Sequence, residues 1–232
     1  MTAPLSSPTY AQSEKPARFN VRAPLGRPLR SLLRSKLVSA LTHPHTVDHY
    51  LELVSPLWSV DRIRAEVVDV IRETADVVTL VLRPNENFGS YKAGQYVSIT
   101  VEVDGVRHTR CFSLSSSPSR EDGLITLTIK ARAEGGLVSP YLVKHAKPGM
   151  SVVLSEPQGE FVLPETLPEQ LLFISSGSGI TPNMGMLRSL LAGGYRGQIV
   201  FIHYARTPAD VIFGDELRSL AAKHANLKLV IE

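Results

Sequence analysis

The sequence predicts a small six-stranded antiparallel Greek-key barrel followed by an incomplete doubly wound parallel sheet. Three observations lead there. Between positions 61 and 163, apolar and polar residues alternate with the period of two expected of a sheet with one wet face. After Pro168 the period changes, and a continuous apolar run at 171–175, of the kind found in strands buried on both faces, leads through Gly177-Ser178-Gly179-Ile180-Thr181-Pro182 into a helical stripe. Such a glycine loop between strand and helix is where an α/β sheet presents backbone N–H groups to a phosphate.

Positions 1–28 are rich in Pro, Ser and Arg and read as disordered or loosely attached. A helical stripe then runs through Leu29, Leu32, Leu33, Leu37 and Leu41, and a second short helix carries Val47, Tyr50, Leu51 and Val54 and stops near Pro56. The pair reads either as a flap packed on the barrel or, for the first helix equally, as a basic amphipathic surface for an acidic membrane face or acidic partner. Barrel strands fit 63–71, 77–82, 97–103, 106–114, 125–129, 151–154 and a short piece at Phe161. Asp104-Gly105 supplies the tight turn of the central hairpin. Beyond 171–175, Met184, Leu187, Leu190 and Leu191 mark a helix ending at Gly193-Gly194. A strand at 199–204, a helix at 213–224 and a strand at 227–231 complete a βαβαβ unit. The expected division is a basic arm at 1–59, a barrel at 60–167 and a partial nucleotide-binding unit at 168–232.

Composition narrows the function. At 232 residues and 43% apolar content the chain can bury a sizeable core. No apolar run approaches the ~18–20 residues a membrane span needs. The lone cysteine, Cys111, rules out an internal disulfide framework and an iron–sulfur cluster held by this chain alone, and it fits a reducing, cytoplasmic compartment. It reads as a small packed side chain. Seven basic residues up to Val47 stand against Glu14 alone, so the arm carries +6 and the remainder −3 of the net +3. Basicity confined to the arm is no argument for a nucleic-acid partner; it would at most place the arm against the inner face of a membrane. His43, His45 and His49 imply no third metal ligand and read as exposed or capping residues; no metal is expected. Asp215 and Glu216 read as a solvated helix face.

Two segments carry chemistry. In Arg110-Cys111-Phe112-Ser113, an arginine on a strand can pair with a pyrophosphate, and the aromatic two positions on faces the same side. The serine hydroxyl can meet a ring nitrogen. With the glycine loop at 177–182 coming later in the chain, the order suggests two cofactors handled in series. Arg206 comes after the second parallel strand, where an acid would hold an NAD ribose; it can accept a 2′-phosphate or sit in a solvated loop.

The stretch from Arg110 to Ser116 resembles the flavin-binding signature of the ferredoxin–NADP reductase family: arginine, any residue, tyrosine, serine, then small polar residues. Gly94-Gln95-Tyr96-Val97 resembles that family's preceding strand entry, Gly136-Leu137-Val138-Ser139 its flavin phosphate motif, Gly159-Glu160-Phe161 its barrel-closing turn, and 177–182 its nicotinamide loop. Within the family the chain is most similar to bacterial reductases carrying a plant-type ferredoxin domain, some of which serve membrane acyl-CoA desaturases. The resemblance implies FAD held by Arg110 at its pyrophosphate and by Phe112 against the ring, with Tyr96 at the strand entry. Thr128, Ile129 and Lys130 would line the flavin, and Gly136, Leu137, Val138 and Ser139 would meet the diphosphate. Ser113 would be the catalytic hydrogen-bonding group at flavin N5. NADPH, or NADH, would bind at Gly177, Gly179, Ile180, Thr181 and Pro182, with Arg206 at the 2′-phosphate. The implied acceptor is a ferredoxin-type [2Fe–2S] domain or protein, and beyond it a desaturase. Two departures stand out. Phe112 replaces the signature tyrosine, and the sequence holds three parallel strands without the family's later Cys-Gly-Pro motif. Position 171–175 would then be an open edge, and the alternative reading is a flavin-binding module, or a fragment, without independent hydride transfer.

Overall fold

A computed structural model describes residues 31–43, 45–55, 57–131 and 136–232. Positions 1–30, the start of the expected arm, lie outside it. The stripe expected to run unbroken from Leu29 is interrupted: 31–33 are helical, then Ser35 caps a separate helix α1 (Lys36–Thr42), its hydroxyl accepting from Val38 N at 3.3 Å. Arg34, at the break, reaches instead to Asp61 and to the Val60 carbonyl. Helix α2 (Val47–Val54) docks through a polar anchor rather than its apolar stripe. The buried Asp48 carboxylate accepts from Ser59 Oγ and Val60 N, both at 2.6 Å, while Tyr50 and Val54 stay exposed.

Six strands form one antiparallel sheet: β1 (Ile63–Thr74), β2 (Val77–Pro84), β3 (Tyr96–Val103), β4 (Val106–Ser113), β5 (Ile125–Lys130) and β6 (Ser151–Leu154). Their spatial order is β4-β3-β6-β1-β2-β5. The insertion of β6 between β1 and β3 is the Greek-key crossing. The ends of the sheet meet at an isolated bridge between Leu114 and Leu127. Alternate residues point inward, as with Val97, Ile99 and Val101 of β3, all buried. Asp104 and Gly105 have φ of +51° and +77°, the two positive values a type I′ hairpin needs. Helix α3 (Val138–His145) seats Val138 and Leu142 in the same core.

The short strand expected at Phe161 is absent. Gln158 bridges Tyr96, but Gly159, at φ +107°, then turns the chain out of the ladder and leaves Phe161 exposed. The turn is seated by Gly94 (φ +101°), where any Cβ would collide with the Phe161 carbonyl and the Met186 side chain.

The second sheet is parallel, in the order β7-β8-β9: β7 (Gln170–Ser176), β8 (Gln198–Tyr204) and β9 (Leu227–Ile231). Helix α4 (Ile180–Ala192) comes after β7 and stops at Gly193 and Gly194, the latter at φ +70°; α5 (Gly214–Lys223) comes after β8. One face is packed: Phe173, Ile199 and Phe201 are buried together with Ile180, Met184 and Leu187 of α4. The apolar run at 171–175 is not buried on both faces, contrary to the expectation from its sequence. Leu172 and Ile174 are 60% and 59% exposed, because both crossover helices cover the same face. β7 is the edge, as expected.

The two sheets share a core boundary. Val77 and Ala93 of the barrel belong to the cluster built by α4 and the parallel strands. Gly185 of α4 lies directly on the barrel segment after β4, where a Cβ would come within 2.7 Å of the Leu114 carbonyl oxygen.

Candidate functional site

A cleft of about 440 Å³ opens along this boundary. Its barrel wall consists of Cys111, Phe112 and Ser113 at the end of β4, Thr128, Lys130 and Ala131 at the end of β5, Asp76 before β2 and Ser139 in the first turn of α3. Its other wall consists of Ser178, Thr181 and Arg206. The hairpin register explains the first wall: Ser113 pairs with Tyr96, Phe112 with Val97 and Arg110 with Ile99, so Arg110 and Phe112 share one face of the sheet's edge strand. Phe112 is half-buried against the barrel core. The hydroxyls of Ser113 and Ser139 make no hydrogen bond among the described residues.

Opposite, the loop after β7 is a 3₁₀ turn, Gly177–Gly179, running into α4. Thr181 Oγ1 donates to the Ser178 carbonyl at 2.7 Å, and Asn183 Nδ2 to the Ile174 carbonyl at 3.1 Å, which ties the loop to the strand end. Gly177 stands at φ +50°, and nothing lies within 4 Å of where a Cβ would sit on Gly177 or Gly179. Their backbone is open to close approach by a ligand.

The charges are mostly cationic and loosely held. Arg110 is exposed and donates only to its neighbour's carbonyl, Thr109 O, at 2.7 Å; it has no acidic partner among the described residues. Lys130 lies 3.5 Å from Asp76, and Arg206 3.4 Å from Asp210. The Asp210 carboxyl is held below the ordinary range by the Thr207 hydroxyl, with Arg206 and Lys130 adding to the effect.

Of the residues expected at a site, Phe112, Ser113, Thr128, Lys130, Ser139, Thr181 and Arg206 line the cleft together. Ile129, Val138 and Ile180 do not offer side chains to it; they are core residues, so only their main chain is available to a ligand. Tyr96 turns its ring to Gly159, and Arg110, Gly136, Leu137, Gly177, Gly179 and Pro182 lie outside the lining. Cys111, expected to be packed, is exposed, 3.4 Å from Ser98 Oγ. Glu216 is likewise not a merely solvated residue: it makes a two-point pair with Arg188 of α4, at 2.8 and 2.6 Å. Arg188 also donates to the Ser115 carbonyl of the barrel at 2.6 Å and lies over the Phe213 ring. Sequence reasoning missed it, although a lone charge inside the apolar stretch 184–192 was a visible signal. His45 and His49 stack at 4.4 Å, and no group of three potential metal ligands occurs among the described residues.

Comparison with known proteins decides the family. Residues 64–163 match the model of the oxidoreductase FAD-binding domain and residues 173–231 that of the oxidoreductase NAD-binding domain. The chain is 44% identical over 199 residues to an NADPH oxidoreductase of Mycobacterium tuberculosis, covering 84% of this chain and 52% of that protein. The chain belongs to the ferredoxin reductase family. It is also 38% identical over 173 residues to the ferredoxin reductase component of a 3-ketosteroid-9-alpha-monooxygenase of Mycolicibacterium smegmatis, covering 72% of this chain and 48% of the relative. Among solved structures, the FAD/NAD-binding domain of a Vibrio cholerae nitric oxide dioxygenase superposes with a TM-score of 0.66 at 28% identity, over 74% of this chain and 73% of that one. This reductase-family chain spans about half the length of the curated relatives it matches. No helix among the described residues is long and apolar enough to cross a membrane.

Proposed function

We propose that this chain is the flavin- and nicotinamide-binding part of an NAD(P)H reductase that hands electrons singly to a ferredoxin-type [2Fe–2S] acceptor. The observation that carries this reading is the cleft itself. One wall presents an aromatic face, the Lys130 ammonium and two hydroxyls without a partner among the described residues, and the other presents Ser178, Thr181 and Arg206 beside an open glycine turn.

The residues present fit both groups. Arg110 has no acid among the described residues to compete with a pyrophosphate and can pair with it at two points. Gly136 through Ser139 open α3, where N–H groups carry partial positive charge. Phe112 offers a ring face to an isoalloxazine, and Ser113, the proposed catalytic residue, a hydroxyl to a ring nitrogen. Gly177, Gly179 and Thr181 suit a nicotinamide nucleotide's phosphates, while Ile180 and Pro182 shape the turn. Arg206 favours NADPH over NADH, since its Asp210 partner is a solvent-exposed ion pair that a 2′-phosphate can outcompete. A flavin held there converts a two-electron hydride donor into a one-electron source. The protein supplies alignment between the two walls.

The monooxygenase reductase components among the relatives support an iron–sulfur acceptor, and the sequence resemblance extends this to lipid desaturation. The open face of the parallel sheet favours a second reading, a flavin-binding module without hydride transfer of its own. Anaerobic NADPH added to FAD-loaded protein separates the two. Loss of the yellow colour is expected; persistent colour with FAD bound leaves the module.

A further inference from the structure

A chain of buried hydroxyls crosses the barrel wall behind the cleft. Thr79 and Thr128 pair directly across β2 and β5. Their hydroxyls are 2.8 Å apart, and Thr79 Oγ1 donates to Glu73 Oε1 at 2.6 Å. Thr128 is 4% exposed and lies on the wall of the cleft; Glu73 lines a separate groove of about 290 Å³ between the end of β1 and α5. Ser115 Oγ, 3.1 Å from Thr128, branches from the same chain toward Thr126.

We propose that Thr128, Thr79 and Glu73 form a relay that carries a proton from the cleft to the groove beside α5. The inference rests on the proposed function. When one reduced nicotinamide is oxidised by two one-electron acceptors, a C–H bond breaks, its two electrons end on the acceptors and one proton is left over. That proton has to leave the cleft, and Thr128 on its wall opens a path through the barrel. With Glu73 ionised, Thr79 donates to it and Thr128 donates to Thr79, so the free lone pairs of Thr128 are the accepting end. Transfer moves each hydroxyl proton one oxygen along, protonates Glu73 and restores both hydroxyls, and Glu73 then releases the proton to the groove.

The surroundings of Glu73 suit a group that must gain and lose a proton. Burial raises its carboxyl above the ordinary range, opposed by the Thr79 hydroxyl, by Arg188 of α4 and by the Phe213 N–H, and assisted by Glu216 of α5. Arg188 is engaged at two points by Glu216, so Glu73 is not locked in an ion pair of its own. Arg72, Asp215 and Arg218 line the same groove.

The test uses the whole chain loaded with FAD and reduced at an electrode, which supplies electrons without nicotinamide. The infrared difference spectrum on reoxidation at the electrode, when the flavin gives up its proton, is expected to contain a carboxyl band, shifted in ²H₂O, that Glu73→Gln removes. Thr79→Val is expected to slow the proton-coupled phase about 100-fold or more, within the range of a displaced acid–base group, and Thr79→Ser to restore it. Should Thr79→Val not fold, the Glu73→Gln spectrum carries the test. FAD bound and reoxidised with the band unchanged in Glu73→Gln, or the wild-type rate in folded Thr79→Val, overturns the relay alone. Failure to bind FAD overturns the proposed function and the relay with it.

Discussion

The two sheets solve the same problem differently. The antiparallel sheet curls until its ends meet at Leu114 and Leu127, so its inner residues are covered by other strands of the same sheet. The parallel sheet stays open and is covered on one face only, by α4 and α5. The difference shows that an apolar run reports what a strand can bury, not what it does bury. Ile99 and Ile174 both read as buried in the sequence, yet one is fully buried and the other 59% exposed. The cleft lies where the closed unit meets the open one, and the barrel supplies most of its lining.

The sharpest way to break this contrast is Ile99→Ala. A large-to-small change in a closed core leaves a cavity, and a loss of about 3 kcal/mol is expected in chemical denaturation. A loss under about 1 kcal/mol would mean that the barrel interior is loosely packed.

Next in size is Arg110→Ala, which tests whether the barrel wall holds FAD. Losing a charge-assisted pair should cost about 2 kcal/mol of FAD affinity, roughly 30-fold in Kd, with the fold unchanged. Fluorescence titration of FAD into apo protein measures it; equal affinity removes Arg110 from the site.

The parallel sheet has a pH signature of its own. His203, in the central strand, is fully buried; its Nδ1 lies 2.9 Å from Ser175 Oγ, and Nε2 has no partner among the described residues. Loss of hydration holds its pKa below the ordinary 6.5, partly opposed by Ser175. Between the folded and unfolded pKa values only the unfolded chain binds the proton, so this contribution is full above pH 6.5 and is lost as the pH falls toward the folded value. Thermal midpoints should therefore drop on acidification below pH 6.5, and His203→Asn should flatten that slope. An unchanged slope in the variant would assign the loss to other groups.

The smallest effect is expected on the open face. Ile174→Thr keeps a β-branched residue where nothing is packed against it, and should change stability by no more than about 0.5 kcal/mol. A cost comparable to that of Ile99→Ala would show that this face is covered in solution.

Much of the fold was legible because its signals are local. Asp104-Gly105 demands positive φ at both positions, and the alternation of β3 sets which side is buried, so hairpin and register emerge from short stretches. Gly193-Gly194 likewise ended α4 where the stripe ran out. Of the proposed site, the sequence named positions that converge on one cleft, Phe112, Ser113, Thr128, Lys130, Ser139, Thr181 and Arg206. Ile129, Val138 and Ile180 were harder to judge, because a motif does not say whether a residue contributes side chain or main chain. Arg188, Glu216 and Glu73 were not legible as a group, since they sit on three elements far apart in sequence.

By itself, the sequence determined most strands, turns and helices, the order of the two sheets and the segments proposed to meet nucleotides. Periodicity and backbone permissiveness act over a few residues and are written in the chain. Only the tertiary structure decided that both crossover helices cover the same face of the parallel sheet. It also decided that Gly185 seats α4 on the barrel and that Thr128, Thr79 and Glu73 join into one polar path. Those outcomes depend on which surfaces come together from distant parts of the chain, and hydrophobic burial, being non-directional, leaves that choice to the packing of the whole.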